Sequence, residues 1–334
     1  MKLGKVLFVR FSAYGDILMC LPALASFRKA FPESEVDFLV VTKYADVLGA
    51  LRGRLFHRLI TYERRAGIPG LAETLGLAAY LSAQRYDAVF DWQANPRSRV
   101  LTAALGARRR FTFNRWMRIH QLEKCYLTLR EAGISQPKEP APAMLASTSE
   151  DSWAGEVISS VAGDSLPVAL GMGGIWPTKV WPVQRFQKMM EIILEQVPVH
   201  FFLIGDAHDS ERTAKLAADF PGQATDLAGK TTILQAAALV ARCNLIVSND
   251  TSTVHLAWVQ GRPTIGIYGA TDPLRTGPLG SHSSAFSGTR LPCHPCFSGR
   301  CLFEKPRCLE MVEPEEVAAK ALAVLTQQRA ASSS

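Results

Sequence analysis

The chain has 334 residues, of which 48% are hydrophobic and 20% are charged, and its formal net charge is +7. This balance is typical of globular proteins, and the length allows two domains of ordinary size. The positive excess favours a phosphate-rich partner such as nucleic acid, anionic lipid or a nucleotide sugar, although many bacterial proteins are mildly basic.

The beginning of the chain predicts no secretory signal. Its first apolar run, at residues 6–9, is too short for a signal peptide, and no stretch approaches the ~18 apolar residues of a membrane span. We therefore expect a cytoplasmic protein, attached only peripherally to the inner face of the cytoplasmic membrane.

Apolar strands alternate with amphipathic helices along the chain. Strands are predicted at 5–10, 36–41 and 86–92, with a helix at 17–31, and the proline-rich stretch 136–142 predicts a linker. The alternation then resumes, with strands at 168–171, 199–204, 244–247 and 263–268 and helices at 149–162, 182–196, 209–219, 233–242, 253–260 and 313–327. The pattern predicts an α/β protein of two Rossmann-like domains, residues 1–150 and 151–330, facing each other across a cleft.

The first candidate site is the loop at residues 10–16, between the first strand and the first helix. Ligands of parallel sheets bind at the carboxyl ends of strands, and Gly15 permits a close approach of a ligand. Asp16 lies at the predicted helix start, where aspartate is also a favoured N-cap, so a capping role and a functional role both stay open. The loop lacks the G-x-G-x-x-G fingerprint of a dinucleotide site.

The second candidate is the run at 171–182, again between a strand and a helix. Gly173 and Gly174 let the backbone approach a phosphate, and Lys179 supplies a positive charge beside it. The spacing is not that of a Walker A loop. A glycine-rich turn with a solvent-exposed lysine is an equally acceptable interpretation.

The third candidate follows the strand at 244–247, where a polar run opens a helix. The backbone N–H groups of that helix start, with the hydroxyls of Thr251, Ser252 and Thr253, predict an anion site. His255 lies inside the helix, and an isolated helical histidine is more often structural than catalytic. The run at 266–273 is expected to cover the same ligand, although ordinary capping and turn formation explain both runs as well.

Four of the seven cysteines, Cys293, Cys296, Cys301 and Cys308, fall within one short segment. The first two have the C-x2-C spacing of zinc ligands, and the loop offers little apolar material to pack. We therefore predict a structural zinc or iron site with four thiolate ligands. Free thiols packed against the second domain, or disulfides formed after purification, are the alternatives.

Arginines are concentrated in the first half of the chain. Some are expected to be solvated and others to bind an acidic ligand. The cluster comprises Arg64, Arg65, Arg97, Arg99, Arg108, Arg109, Arg110, Arg115 and Arg118.

Together these runs resemble the ADP-heptose:lipopolysaccharide heptosyltransferases, glycosyltransferase family 9. Residues 9–18 and 21–24 are similar to the beginning of that family, and 179–182 to its Lys-x-Trp-Pro element. Residues 249–257 are similar to its Asp-Thr-Gly-x-x-His-Leu-Ala element, and 269–278 to its Gly-Pro-Thr-Asp-Pro element. Two positions differ, because Ser252 replaces the usual glycine and Ala270 the usual proline.

The resemblance implies a GT-B fold, with the acceptor bound by residues 1–150 and the nucleotide-sugar donor by residues 151–330. It implies an inverting transfer of a heptose from ADP-heptose to a lipopolysaccharide core acceptor, with no cofactor required for catalysis. Asp16 would be the general base, and Lys179 would stabilise the leaving diphosphate. The acceptor-binding residues would be Arg10, Ser12, Gly15, Arg97, Arg115 and Arg118. The donor-binding residues would be Gly173, Gly174, Thr178, Glu211, Asp250, Thr251, Ser252, Thr253, His255, Thr271 and Asp272.

Two alternatives remain open on the sequence. One is another nucleotide-sugar enzyme of the same fold, such as a hexosyltransferase or a sugar epimerase. The other is a basic nucleic-acid-binding protein. The chain carries no helix-turn-helix, aromatic RNA-binding or tandem-finger pattern, so no nucleic-acid partner is expected.

Overall fold

The computed structural model describes residues 3–63, 67–137, 140 and 142–332. They form two compact units, Met1–Leu145 and Ala146–Ser334. Each unit is built around its own parallel β-sheet, with helices in the connections between strands. The predicted α/β fold class is therefore confirmed.

The first unit contains a five-stranded sheet with the order β3-β2-β1-β4-β5, and all of its pairings are parallel. Its central strand β1 is buried, and the ring of Phe8 packs against Phe27, Phe90 and Trp92 at centroid distances of 4.6–5.0 Å. The elements are β1 Lys5–Val9, α1 Tyr14–Leu18, α2 Leu21–Ala30, β2 Glu35–Val41, β3 Arg58–Tyr62, α3 Gly67–Ala83, β4 Ala88–Asp91, α4 Pro96–Ala104, β5 Arg109–Thr112 and α5 Gln121–Arg130.

The single helix predicted at 17–31 is wrong, since two helices, α1 and α2, occupy this stretch. Pro22 is the reason, because proline has no N–H to donate and its ring clashes with the carbonyl four residues earlier. Proline is tolerated in a first helical turn, which is where Pro22 lies in α2. The break separates the short helix that carries Asp16 from the longer helix that packs on the sheet.

The second unit contains a six-stranded sheet with the order β11-β10-β9-β6-β7-β8, again parallel throughout. Its helices are α6 Thr148–Val161, α7 Val183–Leu194, α8 Ser210–Asp219, α9 Ile233–Arg242, α10 Ser252–Val259, α11 Pro273–Thr276, α12 Arg307–Glu310 and α13 Pro314–Ser332. Its strands are β6 Leu166–Gly171, β7 Val199–Ile204, β8 Ala224–Asp226, β9 Leu245–Asn249, β10 Thr264–Tyr268 and β11 Ser284–Ser287.

The predicted elements of the second unit are confirmed within two residues, except that α13 runs five residues beyond the predicted end. Two further strands, β8 and β11, lie at the two sheet edges and are only partly buried. Edge strands of three or four residues carry no apolar run, which is why the hydrophobic pattern misses them. None of the helices in the described ranges combines the length and the apolar character that a membrane span requires.

Candidate functional site

Asp16 lies in the short helix α1, which follows β1 at the carboxyl edge of the first sheet. The N-cap of this helix is Ala13, so the capping interpretation of Asp16 is wrong. The Oδ1 atom of Asp16 is 2.8 Å from Nη2 of Arg10, and 40% of the Asp16 side chain is exposed. One side of the carboxylate is thus held by a cation, while the side chain still reaches solvent.

Arg10 is 5% exposed and lies behind Asp16. Its Nη1 donates to the carbonyl of Trp92, and its Nε is buried without a hydrogen-bond partner among the described residues. Burial lowers the pKa of Arg10, but Asp16 and neighbouring groups raise it more, and the net pKa lies above the usual value. The burial and the contact with Asp16 point to a supporting position behind the carboxylate, and direct contact of Arg10 with an acceptor stays a prediction.

Gln93 shapes the loop in front of Asp16, and sequence reasoning missed it. Its Oε1 accepts from the backbone N–H of Phe11 at 2.8 Å and from that of Ser12 at 3.4 Å. Gln93 follows β4, which pairs with β1, so both strand ends meet at one edge. Ser12 and Gly15, both predicted to bind an acceptor, are partly exposed at this edge.

The other predicted acceptor residues also follow strand ends of the first unit. Arg97 is in the first turn of α4, directly after β4, whereas Arg115 and Arg118 follow β5 and are exposed. The guanidinium of Arg115 lies 5.1 Å from the ring centroid of Trp116. Arg64 and Arg65 of the predicted cluster lie outside the described residues.

Lys179 occupies a single 3-10 turn, Pro177–Lys179, after β6 of the second unit. Its Nζ is 2.7 Å from Oδ2 of Asp250 and 5.3 Å from the ring centroid of Trp176. The side chain is 23% exposed. The two charges meet because β6 and β9 are neighbours in the parallel sheet, so their carboxyl ends lie at the same edge.

Asp250 is the centre of a buried polar cluster. Its Oδ2 also accepts from Thr271 Oγ1 at 2.6 Å, and its Oδ1 lies 3.8 Å from Nε2 of His255. The indole N–H of Trp258 donates to Nδ1 of His255 at 3.2 Å, which leaves the hydrogen of a neutral imidazole on Nε2, facing Asp250. Asp250 and His255 are 6% and 4% exposed. His255 is therefore a buried member of this cluster, next to Asp250.

The predicted anion site at the start of α10 has ordinary helix-capping chemistry. Thr251 is the N-cap, and its Oγ1 accepts from the backbone N–H of Thr253 at 3.3 Å. Ser252 is the first residue of the helix. Asp272, in the next loop, caps α11 by accepting from the N–H of Leu274 at 3.0 Å. These caps fix the loops around Asp250, and a ligand role for them stays a prediction.

Asn249 connects two of the predicted loops, and sequence reasoning assigned it no role. The side chain is fully buried, and its Nδ2 donates to the carbonyls of Met172 and Gly173 at 2.8 and 3.0 Å. Its Oδ1 accepts from the N–H of Trp181 at 3.1 Å. A Cβ at Gly173 would lie 2.2 Å from the carboxylate of Asp209, so a larger residue there would have to displace that buried side chain.

Glu211 is exposed in the first turn of α8, at the end of β7. The strand β7 neighbours β6, so this position belongs to the same sheet edge as Lys179. Asp209, just before it, is 4% exposed and accepts from the N–H of Asp206 at 3.0 Å. Of the two carboxylates, only Glu211 is accessible to a ligand.

The four clustered cysteines do not form the predicted metal site. All four are free thiols bordering a cavity of about 200 Å³, yet no group of described histidine, cysteine or acidic residues is arranged to hold an ion. Hydrogen bonds from the rest of the unit hold this segment instead. Thr178 Oγ1 donates to the carbonyl of Ser298 at 2.6 Å, and the N–H of Phe297 donates to the carbonyl of Ala270 at 2.9 Å. The segment thereby packs on the turn that carries Lys179.

Residues 168–306 match the family model described as glycosyltransferase family 9 (heptosyltransferase). This range contains Lys179, Asp250 and Thr271. The matched residues form a glycosyltransferase family 9 domain. The protein is therefore an enzyme that transfers a sugar.

Relatives extend the likeness to the first unit. Lipopolysaccharide heptosyltransferase 1 of Pseudomonas aeruginosa is 25% identical, over 96% of this chain and 98% of its own. The solved glycosyltransferase family 9 structure from Veillonella parvula has a TM-score of 0.83 at 19% identity, over 98% and 99% of the two chains. The E. coli heptosyltransferase WaaC with ADP has a TM-score of 0.72 at 21% identity, over 96% and 99%. These full-length likenesses support the predicted GT-B fold.

Proposed function

We propose that this glycosyltransferase transfers a heptose from ADP-heptose to a lipopolysaccharide core acceptor. Residues 1–150 would bind the acceptor and residues 151–330 the donor. The observation that carries the proposal is the ammonium group of Lys179, held 2.7 Å from Asp250 at the carboxyl ends of adjacent strands. Nucleotide phosphates bind at such strand ends in doubly wound sheets.

In the proposed reaction Asp16 removes the proton of an acceptor hydroxyl, and the resulting oxygen attacks the anomeric carbon of the heptose. The bond from that carbon to the β-phosphate oxygen breaks on the opposite face, so the configuration inverts. The electron pair leaves with ADP, and Lys179 stabilises the charge that develops on its phosphate. The proton remains on Asp16 until it is lost to solvent. The step requires no cofactor.

Asp250 would keep Lys179 in place before the donor arrives. Its carboxylate already has partners in Thr271 and His255, so it stays hydrogen-bonded when Lys179 turns toward a diphosphate. An unpaired buried carboxylate would be costly, and these partners reduce that cost. We propose that the start of α10, with Thr251, Ser252 and Thr253, contacts the phosphates, that Asp272 borders them, and that Glu211 binds the nucleoside.

Donor profiling tests the proposal. The purified protein is incubated with ADP-heptose, ADP-hexose or UDP-hexose, with and without a soluble core oligosaccharide, and released nucleotide is measured. We expect fast release only with ADP-heptose and acceptor together. Faster turnover of a hexose donor would favour a hexosyltransferase, and an epimerised donor formed without acceptor would favour an epimerase. Binding of nucleic acid without turnover of any nucleotide sugar would overturn the proposal.

We also propose that the enzyme works in the cytoplasm, at the inner face of the cytoplasmic membrane. The net charge of +7 supports this location, because the cytoplasmic leaflet carries anionic lipids. A lipid-linked acceptor would lie in the same membrane.

Arg10 provides a prediction about the positioning of Asp16. Arg10→Gln removes the cation that holds Asp16, and we expect kcat to fall about 10²-fold, because small misplacements of a catalytic group have effects of that order. Arg10→Lys should lose less activity, and added guanidinium should partly restore Arg10→Gly. The KM for the donor should stay unchanged, since the donor is assigned to the other unit. Steady-state kinetics with both substrates varied measures these quantities.

Arg58→Gln is the control, because Arg58 forms another arginine–aspartate pair in the same unit, 2.6 Å from Asp37. It should lower the melting temperature without lowering kcat in the folded protein. If guanidinium does not restore Arg10→Gly, and Arg10→Gln loses only stability, then Arg10 is a structural residue.

A further inference from the structure

The positive charge of this protein is concentrated in one segment. The 31 residues from 92 to 122 contain seven arginines and no lysine, aspartate or glutamate. The formal charge of this segment alone therefore equals the net charge of the whole chain, +7. Six of the seven side chains are exposed. We call these six residues the arginine face: Arg99, Arg108, Arg109, Arg110, Arg115 and Arg118.

Contacts join the parts of the arginine face. The Nη1 atom of Arg110, on β5, donates to the carbonyl of Arg99, on α4, at 3.5 Å. The Nη2 atom of Arg99 donates to the carbonyl of Phe113 at 3.1 Å, two residues before Arg115. Because β5 is an edge strand, no further strand of the sheet covers this side of the unit.

The charge of the arginine face is nearly unneutralised within the protein. Among the described residues, Asp87 alone places a carboxylate within 4.0 Å of one of its guanidinium groups, at 4.0 Å from Arg108. The Arg108 side chain is still 85% exposed. An uncompensated cluster of this kind attracts a surface of opposite charge.

Two apolar side chains lie within the segment and also face solvent. Trp116 is 74% exposed and Val100 is 73% exposed. Val100 follows Arg99, and the guanidinium of Arg115 lies 5.1 Å from the ring of Trp116. Exposed tryptophan beside basic residues is typical of membrane interfaces, where the ring sits at the level of the headgroups.

We infer that the arginine face binds the surface of an anionic phospholipid bilayer, with Trp116 and Val100 entering the interface. Guanidinium groups suit this role because they bind phosphate in a bidentate manner. The face extends beyond the acceptor residues, since Arg109 begins β5 and lies about 10 Å from its carboxyl end. The inference rests on the proposed function in one respect only, namely that the acceptor is lipid-linked and lies in the same membrane.

Vesicle sedimentation at low salt tests the inference. The vesicles contain phosphatidylcholine with about one third phosphatidylglycerol, or phosphatidylcholine alone. The test variant carries Arg108→Gln, Arg109→Gln and Arg110→Gln, three residues outside the proposed acceptor site. The control carries Lys29→Gln, Lys215→Gln and Lys305→Gln, which removes the same charge from exposed positions elsewhere.

We expect the parent and the control to bind anionic vesicles, with binding lost at high salt. The arginine variant should bind on the order of 100-fold more weakly, because each basic residue near such a surface contributes about fivefold. Brominated lipid should quench parent fluorescence more than that of Trp116→Phe. The arginine variant should turn over the donor with a soluble acceptor at the rate of the parent.

Equal vesicle binding by the arginine variant and the control would overturn the inference and leave the proposed function intact. Tighter binding of the parent to duplex DNA than to anionic vesicles at the same salt would also overturn it. Loss of donor turnover in the parent itself would instead argue against the proposed function, because vesicle binding is measured without substrate.

Discussion

Asp16→Asn is expected to lower kcat by about 10²–10⁴-fold, the range for loss of a general base. The substitution keeps the size of the side chain and its acceptor oxygen, so Arg10 Nη2 still has a partner at that position. It removes the group that takes the acceptor proton. The KM for the donor should change little. Single-turnover measurements of ADP release at saturating substrates give the effect on the chemical step.

Asp46→Asn is the matched control for Asp16. Asp46 is exposed, and its carboxylate accepts from the hydroxyl of Tyr14 at 3.0 Å, in the same loop region. Its replacement should leave kcat within about twofold, as is usual for surface substitutions. Circular dichroism and the melting temperature establish that both variants are folded. A folded Asp16→Asn enzyme with near-parental kcat would eliminate Asp16 as the base.

Lys179→Ala is expected to lower kcat by about 10²–10³-fold, the effect of removing one preorganised group that stabilises developing charge. The affinity for ADP should fall less than kcat, since the lysine interacts most strongly with the phosphate that gains charge as the sugar leaves. Lys179→Arg should keep part of the activity. Calorimetric titration with ADP and steady-state kinetics separate binding from catalysis.

Lys230→Ala is the control for Lys179, because Lys230 forms a comparable ion pair in the same unit, 2.7 Å from Asp226. It should leave both kcat and ADP affinity near the parental values. A rise in KM with unchanged kcat in Lys179→Ala would mean that Lys179 binds the ground state only. Parental kinetics would assign the diphosphate to the start of α10 instead.

The order and type of the main elements could be predicted from the sequence because they depend on local patterns. A buried strand such as β7, Val199–Ile204, is a continuous apolar run, and α9, Ile233–Arg242, has its predicted bounds. The break between α1 and α2 could also have been predicted from Pro22. The edge strand β5 could not have been predicted, because two of its four residues, Arg109 and Arg110, are charged and leave no apolar run.

The polar runs after the strands were visible in the sequence, and the resemblance to a known family gave them expected roles. Parallel strands bring their carboxyl ends to one edge, so Lys179 and Asp250 could be expected near one another. Their 2.7 Å contact, and the part of His255 in the same cluster, depend on the strand order β9-β6 and on side-chain packing.

The sequence by itself determined the alternation of strands and helices, the positions of the segments after the strands that carry Asp16 and Lys179, and the excess of arginine, because each is a property of neighbouring residues. Only the tertiary structure decided that Arg10 is buried against Asp16, since burial depends on packing around Trp92. It also decided that the cysteine segment is ordered by Thr178 and Ala270 rather than by a metal ligand set. The spacing of residues along the chain indicates candidate ligands, but only the folded structure sets the distances between them.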